Sequence, residues 1–146
     1  NANSYRRLIP GNFVPLTPNW GYNHRDVALR IPVSGVKDCR VEHRVSGADA
    51  NPYLLMATDI AAGLDGIEQG MEPTEPTTGN AYEEFNGDAI PTDLRDAIAL
   101  ARGSDWLKEV MGDLLWEQYC QMAERELEFF GQQVTQVETD RYLRSL

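Results

Sequence analysis

Arg40, Glu42 and Arg44 stand at alternate positions of the run Arg40-Val41-Glu42-His43-Arg44, and in an extended strand alternate side chains share a face. Two guanidiniums would flank one carboxylate there, with Val41, His43 and Val45 pointing the other way. Guanidinium pairs with carboxylate or phosphate in a planar fork, and a hard cation takes oxygen ligands, so such a row can hold an anionic substrate beside a metal ion. That is equipment for ATP-dependent chemistry on a carboxylic acid. Taken alone, the same row also describes a solvated ladder of opposite charges, which contributes little at an exposed surface.

The elements that must position this row can be read around it. Val27-Ala28-Leu29-Arg30-Ile31 alternates and ends at Pro32, and a short connection leads to a second strand from Cys39 to Val45, which predicts an antiparallel pair. Arg30 would then face the same cleft as Arg40, Glu42 and Arg44. Arg25 lies at an odd offset from Arg30 and reaches that cleft only from a loop or bulge. Pro10 to Pro18, with three prolines and a glycine, reads as an extended loop of the kind that covers substrates.

Downstream, Asn51-Pro52 is a helix start, and the apolar run through Ile67 predicts a largely buried helix in which Gly63 and Gly66 mark close packing. Residues 70 to 91 read as a long, mobile polar connection. Three helices follow. The first puts Leu94, Ala97, Ile98 and Ala101 on one face; Ser104 caps the second; Asp113 opens the third, with Leu115, Tyr119, Met122, Ala123, Leu127 and Phe130 as its stripe and Gly131 at its end. Thr135-Gln136-Val137-Glu138 fits a capping box for a last short helix. The fold class is therefore α+β, with strands and loops over 1–46 and helices over 51–146.

The net charge of -10 conceals a division. Residues 1 to 44 hold seven basic and three acidic groups, six of the seven being arginine, so the basic surplus lies where the candidate row lies. The acidic total excludes a nucleic-acid binder, because affinity for a polyanion rests on neutralising its phosphates. No stretch is apolar and long enough to cross a bilayer. Cys39 and Cys120 fit no zinc spacing and are too few for a disulfide framework, which points to plain thiols in a reducing cytoplasm. The opening at Asn1-Ala2, without an initiator Met, reads as a piece of a longer protein. His24 and His43 read as structural, and Trp116, Tyr119 and Phe130 as core and packing surface.

Four blocks in order carry a resemblance. Asn3-Ser4-Tyr5-Arg6-Arg7-Leu8-Ile9-Pro10-Gly11 resembles N-S-Y-K-R-L-x-P-G of the glutamine synthetase superfamily, and Asn23-His24-Arg25-Asp26-Val27-Ala28-Leu29-Arg30-Ile31-Pro32 its N-R-S-A-x-x-R-I-P. Arg40 to Arg44 resembles its R-x-E-x-R, and Ala50-Asn51-Pro52-Tyr53-Leu54 its A-N-P-Y-L. The resemblance implies the C-terminal part of a catalytic domain. It also implies that ATP converts the glutamate side-chain carboxylate to a gamma-glutamyl phosphate, from which ammonia or an amine displaces phosphate. By it, Arg7 and Arg44 would bind L-glutamate. Arg25 would act on the phosphoryl group in flight, Arg25, Arg30 and Arg40 would contact ATP, and Glu42 would be a ligand of Mg2+ or Mn2+. The parent would be a ring-shaped homo-oligomer with active sites between subunits, and its remaining metal ligands would lie upstream. The isolated piece should therefore be inactive.

Two departures stand out. His24 occupies a place where the family has Asn before the arginine. Phe13 stands where ammonia-using members carry a glutamate that helps bind and deprotonate ammonium, and a phenyl ring cannot take that proton. With Glu42-His43-Arg44, Gly47-Ala48-Asp49-Ala50-Asn51 and Thr135-Gln136-Val137-Glu138, Phe13 makes the chain more similar to the gamma-glutamylpolyamine (putrescine) synthetase branch. Tyr82 lies near a region where some bacterial relatives carry a nucleotidylated tyrosine, but its flanks differ and no regulation is carried over. The rival readings are a catalytically silent relative with a structural or regulatory role, disfavoured by the retained arginines and Glu42, and a general anion-binding module.

Overall fold

Proline and glycine punctuate the first fifty residues too often for long helices, and the chain there builds a small sheet held by loops. In the computed structural model, which describes residues 1–84 and 87–145, one helical turn, α1 (Ala2–Tyr5), comes first. Three short strands follow: β1 (Trp20–Tyr22), β2 (Leu29–Ile31) and β3 (Glu42–His43), paired in the order β1-β2-β3. The expected antiparallel pair is β2 with β3, in the register Leu29 opposite His43 and Arg30 opposite Glu42.

The sheet departs from the sequence reading in two ways. β1 was not expected, and it runs parallel to β2 with Gly21 opposite Arg30. Only residues 23–28 join the two, far fewer than parallel strands usually need; Asn23, in the left-handed region at φ 51°, makes the tight return possible. Both strands of the expected pair are also shorter. The N–H groups of Ala28 and Leu29 both donate to the Asn19 carbonyl, so the chain is still turning there and regular alternation begins only at Leu29. Val27 is accordingly fully buried while Leu29 is exposed, although strand alternation would have placed them on one face.

The helices begin where their capping residues dictate. Asn51 Oδ1 accepts from the N–H groups of Tyr53 and Leu54 and opens α2 (Pro52–Glu68) with Pro52 in the first turn. Asp93 caps α3 (Leu94–Arg102) and Ser104 caps α4 (Asp105–Met111). Asp113 is the first residue of α5 (Asp113–Gly131), and the Thr135/Glu138 capping box starts α6 (Gln136–Tyr142). α3 and α4 pack on α5, and α2 on α4. Arg102 fastens α3 to α5, its guanidinium donating to Glu117 at 2.6 Å and Glu124 at 2.8 Å, while Trp116 Nε1 donates to the Ala101 carbonyl at 2.9 Å.

Two helical expectations and one about a connection are corrected. α2 is not largely buried: Tyr53, Met56, Ile60, Leu64 and Ile67 are all exposed, and a Cβ at Gly63 or Gly66 would meet nothing within 4 Å. The fully buried residue of α5 is Cys120, whereas Leu115, Tyr119, Met122 and Phe130 are exposed, because α3 and α4 cover the neighbouring side of the helix. The connection over 70–91, apart from residues 85 and 86, which lie outside the described residues, is tied to the sheet. Thr77 N–H donates to the Trp20 carbonyl at 2.8 Å, Trp20 Nε1 to the Thr74 carbonyl at 2.7 Å, and Ala81 is fully buried. No helix among the described residues is long and apolar enough to cross a membrane.

Candidate active site

Arg30 and Glu42 sit opposite each other on β2 and β3, and cross-strand neighbours are close enough for side chains to meet. Arg30 Nη1 donates to Glu42 Oε2 at 2.8 Å, and Arg40 Nη2 donates to Glu42 Oε1 at 2.8 Å. One carboxylate is thus held between two guanidiniums, but these are Arg30 and Arg40 and not the Arg40 and Arg44 that alternation along one strand predicts, because β3 ends at His43 and Arg44 turns to main-chain oxygens. The hydrogen bond from Arg30 first, and that from Arg40 after it, holds the Glu42 carboxyl below the ordinary carboxylate range. Glu42 is part-exposed and ionised.

The other predicted residues form a second group, just past the end of β3 and on the loops around the sheet. Arg44 reaches back over the loops: its Nε donates to the Arg25 carbonyl at 3.1 Å and its Nη2 to the Phe13 carbonyl at 3.0 Å. Arg7 in turn donates to the Arg44 carbonyl at 3.4 Å and to that of Val45. Arg7, Arg44, Arg25 and Phe13 are therefore joined through main-chain oxygens. Arg25 does come from a loop, as its offset required, and its side chain is exposed. Phe13 lies at the rim, 61% exposed and at φ 54°, a backbone region that bulky residues seldom adopt. Five arginines against the carboxylates of Glu42 and Asp26 leave this corner positive in an acidic chain.

Asn23, which the sequence did not single out, and the two histidines read as structural complete the corner. Asn23 Oδ1 accepts from Arg30 Nη2 at 3.4 Å and from the Val33 N–H at 3.0 Å, fixing the turn before β2 and the arginine on it. His24 Nδ1 accepts from the Asp26 N–H at 3.2 Å while Nε2 lies 2.7 Å from the Gly79 carbonyl, which assigns the neutral ring with its proton on Nε2. His24 thereby ties the Arg25 loop to the 70–84 segment, a structural role. His43 has one too: Nδ1 lies 2.8 Å from Asp59 Oδ1, joining β3 to α2.

The family model described as glutamine synthetase, catalytic domain, matches residues 1–142. The chain belongs to the glutamine synthetase catalytic-domain family. It is 43% identical over 141 residues to the gamma-glutamylethanolamide synthetase of Streptomyces coelicolor, covering 97% of this chain and 30% of that protein. Against the gamma-glutamylputrescine synthetase of Escherichia coli it is 38% identical over 147 residues, 99% of this chain and 30% of that one. Identity to the glutamine synthetase of Thermotoga maritima is 34% over 148 residues, 97% of this chain and 34% of that one. The chain therefore spans about a third of the length of the curated relatives it matches. Among solved structures, a GmaS/ADP complex superposes with a TM-score of 0.76 at 28% identity, over 93% of this chain and 31% of that one. A Plasmodium falciparum glutamine synthetase shares the fold, with a TM-score of 0.76 at 19% identity over 97% of this chain and 37% of that one.

Within this glutamine synthetase corner, a divalent cation would find one suitable ligand. An ionised carboxylate has lone pairs enough to accept from two arginines and still ligate, so Glu42 fits one position of an oxygen-ligand shell. Among the described residues there is no group of three or more His, Cys, Asp or Glu that could hold a metal ion. The remaining ligands would have to come from outside these residues.

Proposed function

We propose that this chain is the C-terminal part of the catalytic domain of an ATP-dependent ligase that joins the side-chain carboxylate of L-glutamate to an amine, with putrescine-like amines favoured over ammonia. The observation that carries the reading is that β2, β3 and their loops bring Arg30 and Arg40 onto the Glu42 carboxylate and join Arg7, Arg44 and the Arg25 loop beside it through main-chain oxygens. In the proposed reaction a glutamate oxygen attacks the terminal phosphorus of ATP and ADP leaves. The amine nitrogen then attacks the acyl carbon and loses a proton, and phosphate departs. Such chemistry is positioning and charge neutralisation above all. Arg30, Arg40 and the exposed Arg25 would neutralise phosphate oxygens. Arg44 would meet a substrate carboxylate through Nη1, for which the structure gives no protein partner among the described residues. A bound Mg2+ or Mn2+, ligated in part by Glu42, would screen the phosphate charge.

The amine preference rests on Phe13, an exposed ring with no proton-accepting group, at the rim of this corner. The ring can pack against the methylenes of a diamine, each worth about 0.8 kcal/mol when buried, and cannot accept a proton from ammonium. Full-length enzyme assayed for phosphate release with glutamate, ATP and either ammonia, putrescine or a longer amine tests the reading. Phe13→Glu should raise the KM for putrescine and improve ammonia use. Unchanged preference in that variant refutes the amine assignment, and no glutamate-dependent turnover with any amine refutes the ligase. The 146-residue piece, with Glu42 as its one candidate ligand, should form no hydroxamate from hydroxylamine, ATP and glutamate.

A further inference from the structure

The loop that carries Phe13 is held at two consecutive carbonyls. Arg44 Nη2, from the end of β3, donates to the Phe13 carbonyl at 3.0 Å, and the Tyr82 hydroxyl, from the 70–84 connection, donates to the Val14 carbonyl at 3.0 Å. The left-handed turn at Phe13 lies immediately before the first of these two carbonyls. A bulky residue does not stay in that region by its own preference, so contacts from outside must hold it there. No local hydrogen bond within the loop does this at Phe13 or Val14 among the described residues.

Tyr82 is itself firmly placed. Its N–H donates to Asn80 Oδ1 at 3.1 Å, its neighbour Ala81 is fully buried, and the connection is pinned to β1 through Thr77 and to the Arg25 loop through His24. The hydroxyl also has a second acceptor, Asp26 Oδ1, at 3.4 Å. A phenol has one proton to give, and the nearer Val14 carbonyl takes it. When the loop lifts, the proton can turn to the Asp26 carboxylate, so opening strands no buried donor. The bond is therefore able to hold and to release.

We infer that Tyr82 is a positioning residue for amine selection: its hydroxyl latches Val14 so that the neighbouring Phe13 ring is presented to the incoming amine. The inference rests on the amine reading given above and goes beyond it, assigning the loop's geometry to a residue about seventy positions away. Tyr82 touches no reacting atom; it acts through the loop.

The test uses the full-length enzyme and Tyr82→Phe, which keeps the ring and deletes the hydroxyl. Two readouts are taken. One is the rate of chymotrypsin cleavage at the exposed Phe13–Val14 bond, followed by mass spectrometry, which reports loop opening without reference to activity. The other is the set of KM values for amine, glutamate and ATP. Loss of one neutral hydrogen bond should speed the cleavage about two- to tenfold and raise the amine KM by a similar factor, leaving the glutamate and ATP values in place. The inference is overturned if cleavage is unchanged, if cleavage quickens while the amine KM stays put, or if all three KM values rise together as general loosening would make them. Phe13→Glu run alongside separates the two claims. Should it alter amine preference while Tyr82→Phe does not, the latch is wrong and the amine reading stands; should Phe13→Glu alter nothing, the amine reading is wrong, and the cleavage rate alone still reports whether Tyr82 holds the loop.

Discussion

Two glycines should respond to the same substitution with opposite signs. Gly21 lies on β1 opposite Arg30, and a methyl group there would stand 2.7 Å from the Thr77 carbonyl oxygen, 3.3 Å from His24 Cβ and 3.6 Å from Val27 Cγ1. The first of these is backbone and cannot swing aside, since Thr77 N–H is bonded to the Trp20 carbonyl. Gly21→Ala must push β1 and the 70–84 connection apart by about half an ångström or more, a form of overpacking that costs about 1–3 kcal/mol. For a chain of this size that is a fall in Tm of about 3–9 °C. Gly63, inside α2, would present its methyl to open space. Gly63→Ala should therefore stabilise by about 0.5–1 kcal/mol, the helix-propensity difference alone. Urea midpoints of the 146-residue chain and both variants, read by far-ultraviolet circular dichroism, give the two signs directly. If Gly21→Ala leaves the midpoint within error, the close approach of the connection to β1 is wrong, and with it the seat of Tyr82. If Gly63→Ala destabilises, α2 is packed within this chain after all.

Other perturbations address the remaining contacts. Glu117 and Glu124 are both held below the ordinary carboxylate range, in each case chiefly by hydrogen bonds from Arg102, so their stabilisation is complete above the unfolded-state value and is lost as pH falls through the folded one. The urea midpoint should drop between about pH 5 and pH 3, and Arg102→Gln should flatten that part of the profile. Asn51→Ala removes the acceptor for two N–H groups of α2 and should cost about 1 kcal/mol in the same assay. Arg44→Lys keeps the charge but cannot serve two carbonyls from a forked head; in the full-length enzyme it should raise the KM values for glutamate and amine together, and a selective effect on either one would count against the strap.

What could be read in advance follows from the range of the physics involved. Helix starts are local, and Asn51, Ser104 and Thr135 each announce themselves by a side chain that reaches two or three residues along the chain. The Arg30, Arg40 and Glu42 cluster was legible for a similar reason, since strand alternation and one short connection suffice to bring those charges together. The parallel β1 was not, because Trp20-Gly21-Tyr22 is too short to show a period and its partner is set by the Asn23 turn. Burial of α2 was misjudged because an apolar run states what a helix prefers to bury and not whether the rest of the chain is there to cover it.

The straps to main-chain oxygen mark the deeper limit. The family resemblance implies Arg7 and Arg44 as substrate ligands, and nothing in their spacing announces that the donors used here go to the carbonyls of Arg25, Phe13, Arg44 and Val45. A carbonyl belongs to every residue type, so sequence carries no mark of which one a side chain will meet. The consequence is functional as well as structural. With Arg44 bound to both the Phe13 loop and the Arg25 loop, the strand bearing Glu42 and the loop bearing Phe13 share one guanidinium. Their positions are therefore set jointly, and in the proposed ligase carboxylate placement and amine choice should change together when that one side chain is altered.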